Sequence, residues 1–198
     1  MRLPLTLTLV VFLTSCSSSG EHHDDYRRTP LKVAGVTYNW PSSSSSNAPD
    51  SSSHFALFPK GLWNETVGTM PSMRFPQDDG DLTIWLGPAK TPTWNIQPDG
   101  RNLPDSIVFS KAKKEGNALV GDDDRPTYAA PPAVVVFEGE PEAYVTCVGQ
   151  NKPRPICQLF MNDRGVEHTL PATWGAWGEV PTALKLYRAA IGAPNPAK

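Results

Sequence analysis

Ala143-Tyr144-Val145-Thr146-Cys147-Val148, then Ile156-Cys157-Gln158-Leu159-Phe160-Met161, then Val166-Glu167-His168-Thr169-Leu170 follow one another in the C-terminal third of the 198-residue chain. The first two runs are rich in β-branched and aromatic residues and flank Gly149 to Pro155, so they predict a hairpin with a long, Pro-bearing loop. Cys147 and Cys157 fall on its facing strands, expected near its open end. Asn162-Asp163-Arg164-Gly165 supplies a turn in which Gly165 is free to take positive φ, and Val166 to Leu170 returns as a third strand. Beyond Pro171 and Trp174-Gly175-Ala176-Trp177-Gly178, Pro181 suits the first turn of a helix, and Leu184, Tyr187, Ala190 and Ile191 share one helical face. Gly192 and Pro194 end it. Hairpin, third strand and helix in that order predict an α+β fold: a single domain with an antiparallel β-sheet, a C-terminal α-helix packed on it and long irregular loops.

Working outward, Ala133-Val134-Val135-Val136-Phe137 is the most strongly β-forming run and belongs in the middle of a sheet. Leu31 to Tyr38 reads as one strand ended by Trp40-Pro41, and Asp81 to Leu86 as a half-buried strand stopped by Gly87-Pro88. Between Leu31–Tyr38 and the apolar His54 to Phe58 lies a Ser-rich low-complexity stretch, residues 41–53, expected to be a disordered hairpin connection whose two arms pair. Gly61 to Met70 suggests a short helical turn, and Ala89 to Pro104, with its prolines and Asp99-Gly100, an irregular excursion. Ser106 to Ser110 reads as a short strand, Lys111 to Glu115 as a charged turn and Gly121 to Pro126 as a loop.

The N-terminus carries a different kind of signal. Met1-Arg2, an apolar run from Leu3 to Leu13 and then small residues match a secretory signal, and the run is far shorter than the ~20 apolar residues of a membrane span. Leu13-Thr14-Ser15-Cys16 resembles the lipobox of bacterial lipoproteins. That resemblance implies cleavage before Cys16, lipidation of its thiol and a cell-envelope address, with Ser17 implying the inner leaflet of the outer membrane, facing the periplasm. An ordinary secretory signal cut at a small-residue site is the alternative. The expected organisation is therefore a signal peptide at 1–15, a lipidated cysteine and flexible tether at 16–29, and the periplasmic domain at 30–198.

With Cys16 committed to lipid, the even pair Cys147 and Cys157 is expected to be bonded in an oxidising compartment, the alternative being two buried thiols. Loss of Arg2 with the signal leaves 17 basic against 20 acidic residues, a net charge of −3. No basic stripe is present, so nucleic acid is excluded as a partner.

Catalytic signatures are thin. No Gly-x-Ser-x-Gly elbow, His-Glu-x-x-His helix or phosphate-cradling glycine loop occurs. His22-His23 beside Asp24-Asp25 lie in the tether and lack a frame to hold an ion. His168 shares a strand face with Val166 and Leu170, which suits a hydrogen-bonded core histidine better than a general base. Asp78-Asp79-Gly80-Asp81 and Asp122-Asp123-Asp124 invite a calcium reading but lack the alternating ligands of a calcium loop, so solvated turns are expected. No metal and no cofactor are expected.

Candidate binding residues are the acidic Asp122, Asp123 and Asp124, offering a contact for a basic partner, and Trp94 and Trp174, two of six tryptophans, placed on segments read as loops. Together with the anchor they predict a non-catalytic module that binds a periplasmic or envelope protein, in the manner of inhibitor or immunity lipoproteins. The alternatives are an envelope-structural or assembly lipoprotein binding peptidoglycan or an outer-membrane complex, and an envelope hydrolase. The hydrolase reading would gain if Glu138, Glu140 or His168 lined a pocket with a displaced pKa.

Overall fold

Eight strands hydrogen-bond in one antiparallel sheet in the computed structural model of the protein. The structure describes residues 27–41, 52–59, 62, 82–89, 94–96, 102–104, 106–126, 130–149 and 155–194. Strands β7 (Phe109–Glu115), β8 (Ala118–Asp123), β9 (Ala133–Phe137), β10 (Glu140–Val148), β11 (Ile156–Asp163) and β12 (Val166–Ala172) form a continuous meander. β4 (Leu82–Pro88) pairs with β12, and β3 (His54–Phe58) closes that side. With the C-terminal helix α1 (Val180–Ile191) the fold is α+β, as the sequence predicts.

The C-terminal hairpin forms with the two cysteines on facing strands, Cys147 opposite Cys157, and with Tyr144 opposite Phe160. The two cysteines are disulfide-bonded. They sit one pair from the connecting loop, at the closed end of the hairpin rather than at its open end. Arg164 and Gly165, at φ 53° and 81°, make the two-residue turn into β12. Its twist matches that of the strands it joins, which is why both positions are left-handed. β9 lies between β8 and β10 and is buried on both faces.

Several segments differ from their sequence reading. Leu31 to Tyr38 is not one strand: β1 (Arg28–Val33) turns at Ala34 and Gly35, φ 48° and 83°, into β2 (Val36–Pro41). This hairpin forms its own sheet, so β2 pairs with β1 and not with β3, which pairs with β4 instead. Lys111 to Glu115 is strand rather than turn, because β7 is a sheet edge and lysine-rich edges are tolerated and protective. A bulge between Ser110 and Lys113 absorbs the positive φ of Lys111.

β8 runs on through Gly121 to Asp123, where a loop was expected. Gly121 is required there because the Phe109 ring crosses it: a Cβ would lie 2.5 Å from that ring. Within Ala89 to Pro104 the structure finds two short paired strands, β5 (Trp94–Ile96) and β6 (Asn102–Pro104), in place of a wholly irregular excursion. Gly87 and Pro88 lie within β4 rather than ending it. The signal and Cys16, most of the tether, of the Ser-rich stretch and of Gly61 to Met70, and Asp78, Asp79 and Asp81 lie outside the described residues.

The two faces of the sheet are treated differently. One packs Val135, Val145, Leu159, Met161, Leu170 and Ile84 beneath the β1–β2 hairpin and α1. Along α1, Val180, Ala183, Leu184, Tyr187, Arg188 and Ile191 are buried, the spacing of a single helical face. Pro181 stands in its first turn and Gly192, φ 70°, caps its end. Trp40 donates Nε1–H to the Leu57 carbonyl at 2.8 Å and stacks edge-on against Phe58, tying the hairpin to edge strand β3. Arg188 of α1 reaches Glu140 of β10 at 2.8 Å, a buried ion pair. The opposite face, called the open face below, carries a smaller cluster, Leu103, Ile107, Val134, Val136 and Tyr144, and among the described residues no helix lies in that cluster.

Candidate functional site

Strand alternation puts Tyr144, Phe160, Thr169, Trp85 and Phe55 in one cross-strand row on the open face, through the pairs Tyr144↔Phe160, Phe160↔Thr169, Thr169↔Trp85 and Trp85↔Phe55. Tyr144 and Phe160 lie face to face, centroids 4.9 Å apart and planes 12° apart. At the far end Phe55 is 70 % exposed and its neighbour Leu57 43 %. Val148 and Ile156, paired beside the disulfide, are also exposed, at 50 % and 58 %. Apolar side chains presented side by side on a strand face are unusual outside contact surfaces.

A cleft of about 320 Å³ opens on this face. Tyr144, Thr146, Phe160 and Glu167 come from the sheet, and Pro104, Ser106 and Ile107 from the segment that crosses it. Asp123 and Arg125 close one side. Asp123 is buried, accepts from Arg125 Nε at 2.8 Å and from the Val108 backbone N–H at 3.1 Å, and so fixes both the guanidinium and the end of β8. Burial pushes the Tyr144 hydroxyl well above the usual phenol range, and the charge of Glu167 adds to the effect. That hydroxyl therefore stays protonated and acts as a neutral polar group. A shallower depression on the same face is lined by Phe55, Thr83, Trp85, Gln158 and Thr169.

On the covered face lies a second polar constellation. His168 is fully buried, with Nε2 3.0 Å from the Tyr38 hydroxyl of β2 and Nδ1 3.1 Å from the Tyr187 hydroxyl of α1. The Tyr38 hydroxyl donates onward to the Asp163 backbone carbonyl at 3.5 Å. One set of roles uses every proton: Tyr187 donates to Nδ1, Nε2–H donates to Tyr38, and Tyr38 donates to Asp163. Burial holds the imidazole down to about 3, against a weaker upward pull from Asp163. A neutral ring bonded at both nitrogens and sealed from solvent joins hairpin, helix and sheet; it is the hydrogen-bonded core histidine the sequence suggests. Nearby, Arg164 holds the Asp163 carboxylate at 2.9 Å and lies over the Tyr38 ring.

The remaining sequence-predicted residues are scattered. Asp122 and Asp124 both pair with Lys111 across the β7–β8 edge, at 3.5 and 3.4 Å, and Asp124 also accepts from Ser110 at 2.8 Å. Those bonds hold Asp124 below the usual carboxylate range and Lys111 above its own. The three aspartates are therefore not one solvated turn: Asp123 is buried in the cleft wall while its neighbours sit at the rim of the sheet. Trp94 stands in β5 rather than on a loop, with its side chain outside the described residues. Trp174 is 41 % exposed and packs edge-on against the buried Trp177, away from the residues lining the cleft. Neither Glu138 nor Glu140 nor His168 lines the cleft.

Tyr144, Phe160, Glu167 and Arg125 were not singled out from sequence. A usable signal was present: with Cys147 and Cys157 fixed inward and opposite each other, period-2 alternation sends Tyr144 and Phe160 to the other face together. Among the described residues no helix is long and apolar enough to cross a membrane. No protein-family model, curated protein or solved structure matches the chain.

Proposed function

We propose that this chain is a lipid-anchored envelope protein whose α+β domain binds a protein partner without chemistry of its own. Cys16 is the anchor and the open face of the sheet is the contact surface. The observation that carries this reading is that face: Phe55, Leu57, Val148 and Ile156 are exposed on the side of the sheet that also bears the cleft. Such a surface has an apolar part for burial and a polar recess for specificity, the composition of a protein interface. The Cys147–Cys157 disulfide agrees with folding in an oxidising compartment.

The test is capture from periplasmic extract by the chain from Ser17 onward, which lacks both the apolar run Leu3 to Leu13 and Cys16 and so stays in solution. A stoichiometric partner is expected, and it is lost when Phe55 and Ile156 are both changed to Asp. Retention by purified sacculi, with no protein captured, would contradict the reading and favour peptidoglycan binding. In cells, the Cys16→Ala chain exported behind an ordinary cleavable secretory signal is expected in the soluble periplasmic fraction; recovery with membranes would remove the anchor from the proposal.

A further inference from the structure

The shallower depression on the open face is built from two cross-strand rows. Phe55, Trp85 and Thr169 stand side by side on β3, β4 and β12, and one step along the sheet Pro171 of β12 stands opposite Gln158 of β11. Thr83, two residues before Trp85 on β4, belongs to the same face. Trp85 leans along its own strand over Gly87, where a Cβ would meet the six-membered ring at 2.4 Å; the bare α-carbon lets the indole lie down on the sheet. Phe55, Thr83 and Gln158 are exposed. With Trp85, Thr169 and Pro171 they line a recess of about 160 Å³ in which every lining residue is uncharged. A charged side chain would find no counter-charge there.

We propose that this depression receives an uncharged, proline-rich segment of the protein partner in polyproline II conformation, laid across β4, β12 and β11 with one proline ring against Trp85 and Phe55. An aromatic-lined recess suits this conformation, which is ordered before it binds and so loses little entropy. The segment makes no internal hydrogen bonds, which leaves its carbonyl oxygens open to donors, and Thr83, Thr169 and Gln158 each carry one. One turn of it, three residues, advances about 9.3 Å. Strands β4 and β11 lie two strand spacings apart, about 9.6 Å, so a proline at Trp85 brings the residue one turn on beside Gln158. The inference rests on the protein-binding reading and names the kind of segment by which that partner is recognised.

The probe is an acetylated oligoproline amide, titrated into the chain from Ser17 onward, which contains every described residue, and followed by NMR. A Gly-Ser peptide of equal length and a chitin oligosaccharide are the controls. Saturable shifts centred on Trp85, Thr169 and Gln158 are expected with oligoproline, and at least tenfold weaker binding with either control. Thr169→Lys, which sets a long cationic side chain on the floor of the recess, should abolish oligoproline binding. Gln158→Glu, at an exposed position, exchanges the amide donors for a carboxylate and should weaken it at least threefold. Both variants are checked for a wild-type fold from their remaining resonances. Equal binding of the two peptides, preference for the oligosaccharide, or unchanged oligoproline binding in the folded variants would overturn the proposal. The two readings fail separately. A captured partner retained equally by wild type and by the folded variants removes proline recognition and keeps protein binding. Oligoproline-selective binding with no captured partner keeps the recess and removes the protein-binding reading.

Discussion

His168 and Tyr38 face each other edge-on, ring centroids 5.0 Å apart, with Nε2 at 3.0 Å from the phenol oxygen. The pair joins the central sheet to a hairpin that shares no ladder with it, beside the Trp40–Leu57 and Tyr38–Asp163 hydrogen bonds. Because the His168–Tyr38 bond is made by a neutral imidazole, it gives the fold a dependence on pH.

In the folded chain His168 protonates only near pH 3, whereas the unfolded chain takes up that proton near 6.5. Its contribution is therefore complete above pH 6.5 and is lost as pH falls from there toward 3, at about 1.4 kcal/mol per pH unit. Asp163, Arg188 and Arg164 are the charged groups that reach the ring. Urea midpoints between pH 7.5 and 4 should fall steeply for wild type and much less for His168→Gln. Parallel profiles would show that His168 is not the group responsible.

Tyr187→Phe removes the donor to Nδ1 and leaves that nitrogen buried and unsatisfied. The expected cost is about 1–3 kcal/mol, with little change in volume. Equilibrium unfolding of the variant measures it, and a loss below 0.5 kcal/mol, taken as roughly the error of the method, would mean that the bond is not made as described.

Arg188 and Glu140 are buried partners at 2.8 Å. Arg188→Met should destabilise by about 3 kcal/mol at neutral pH, because a carboxylate is left uncompensated, and pairing it with Glu140→Gln should recover most of the loss. Burial already pushes Glu140 above the ordinary carboxyl range, and Arg188 only partly offsets it. A raised folded value means that stability is gained below it and lost as pH rises through it. Arg188→Met alone should consequently become more stable, relative to the double variant, on mild acidification.

The disulfide joins residues ten apart in sequence. Closing so short a loop is worth roughly 3 kcal/mol in the unfolded ensemble. Replacing Cys147 and Cys157 together by Ala should lower the unfolding free energy by that order in non-reducing buffer, with a dithiol making no further difference to the variant.

The meander from β9 to β12 and the terminal helix were legible because each carries a strong local pattern: five consecutive apolar β-formers, a Gly-bearing turn at residue 165, and Pro181 and Gly192 bracketing a helical face. What was not legible depends on partners distant in sequence. Leu31 to Tyr38 reads as one strand because β-branched residues flank Ala34-Gly35 on both sides; Gly35 alone allows a turn there, and Ala34 gives no hint of its left-handed conformation. Lys111 to Glu115 reads as turn until β8 takes it as an edge. Asp123 looked like its neighbours because its burial depends on Arg125, on the Val108 backbone and on a segment crossing the sheet, none of which has a local signal. Tyr144 and Phe160 become a platform only once the hairpin register fixes which face each occupies.

The claim that the open sheet face is the contact surface is tested most directly by a photo-reactive residue placed in the full chain in its native envelope. Benzoyl-phenylalanine at Phe55 or Ile156, both exposed on that face, should form an adduct with one discrete protein on irradiation. The same group at Leu186, exposed on α1 over the other face, should form none. Adducts from Leu186 equal to those from Phe55 and Ile156, or no protein adduct from either face position, would contradict it.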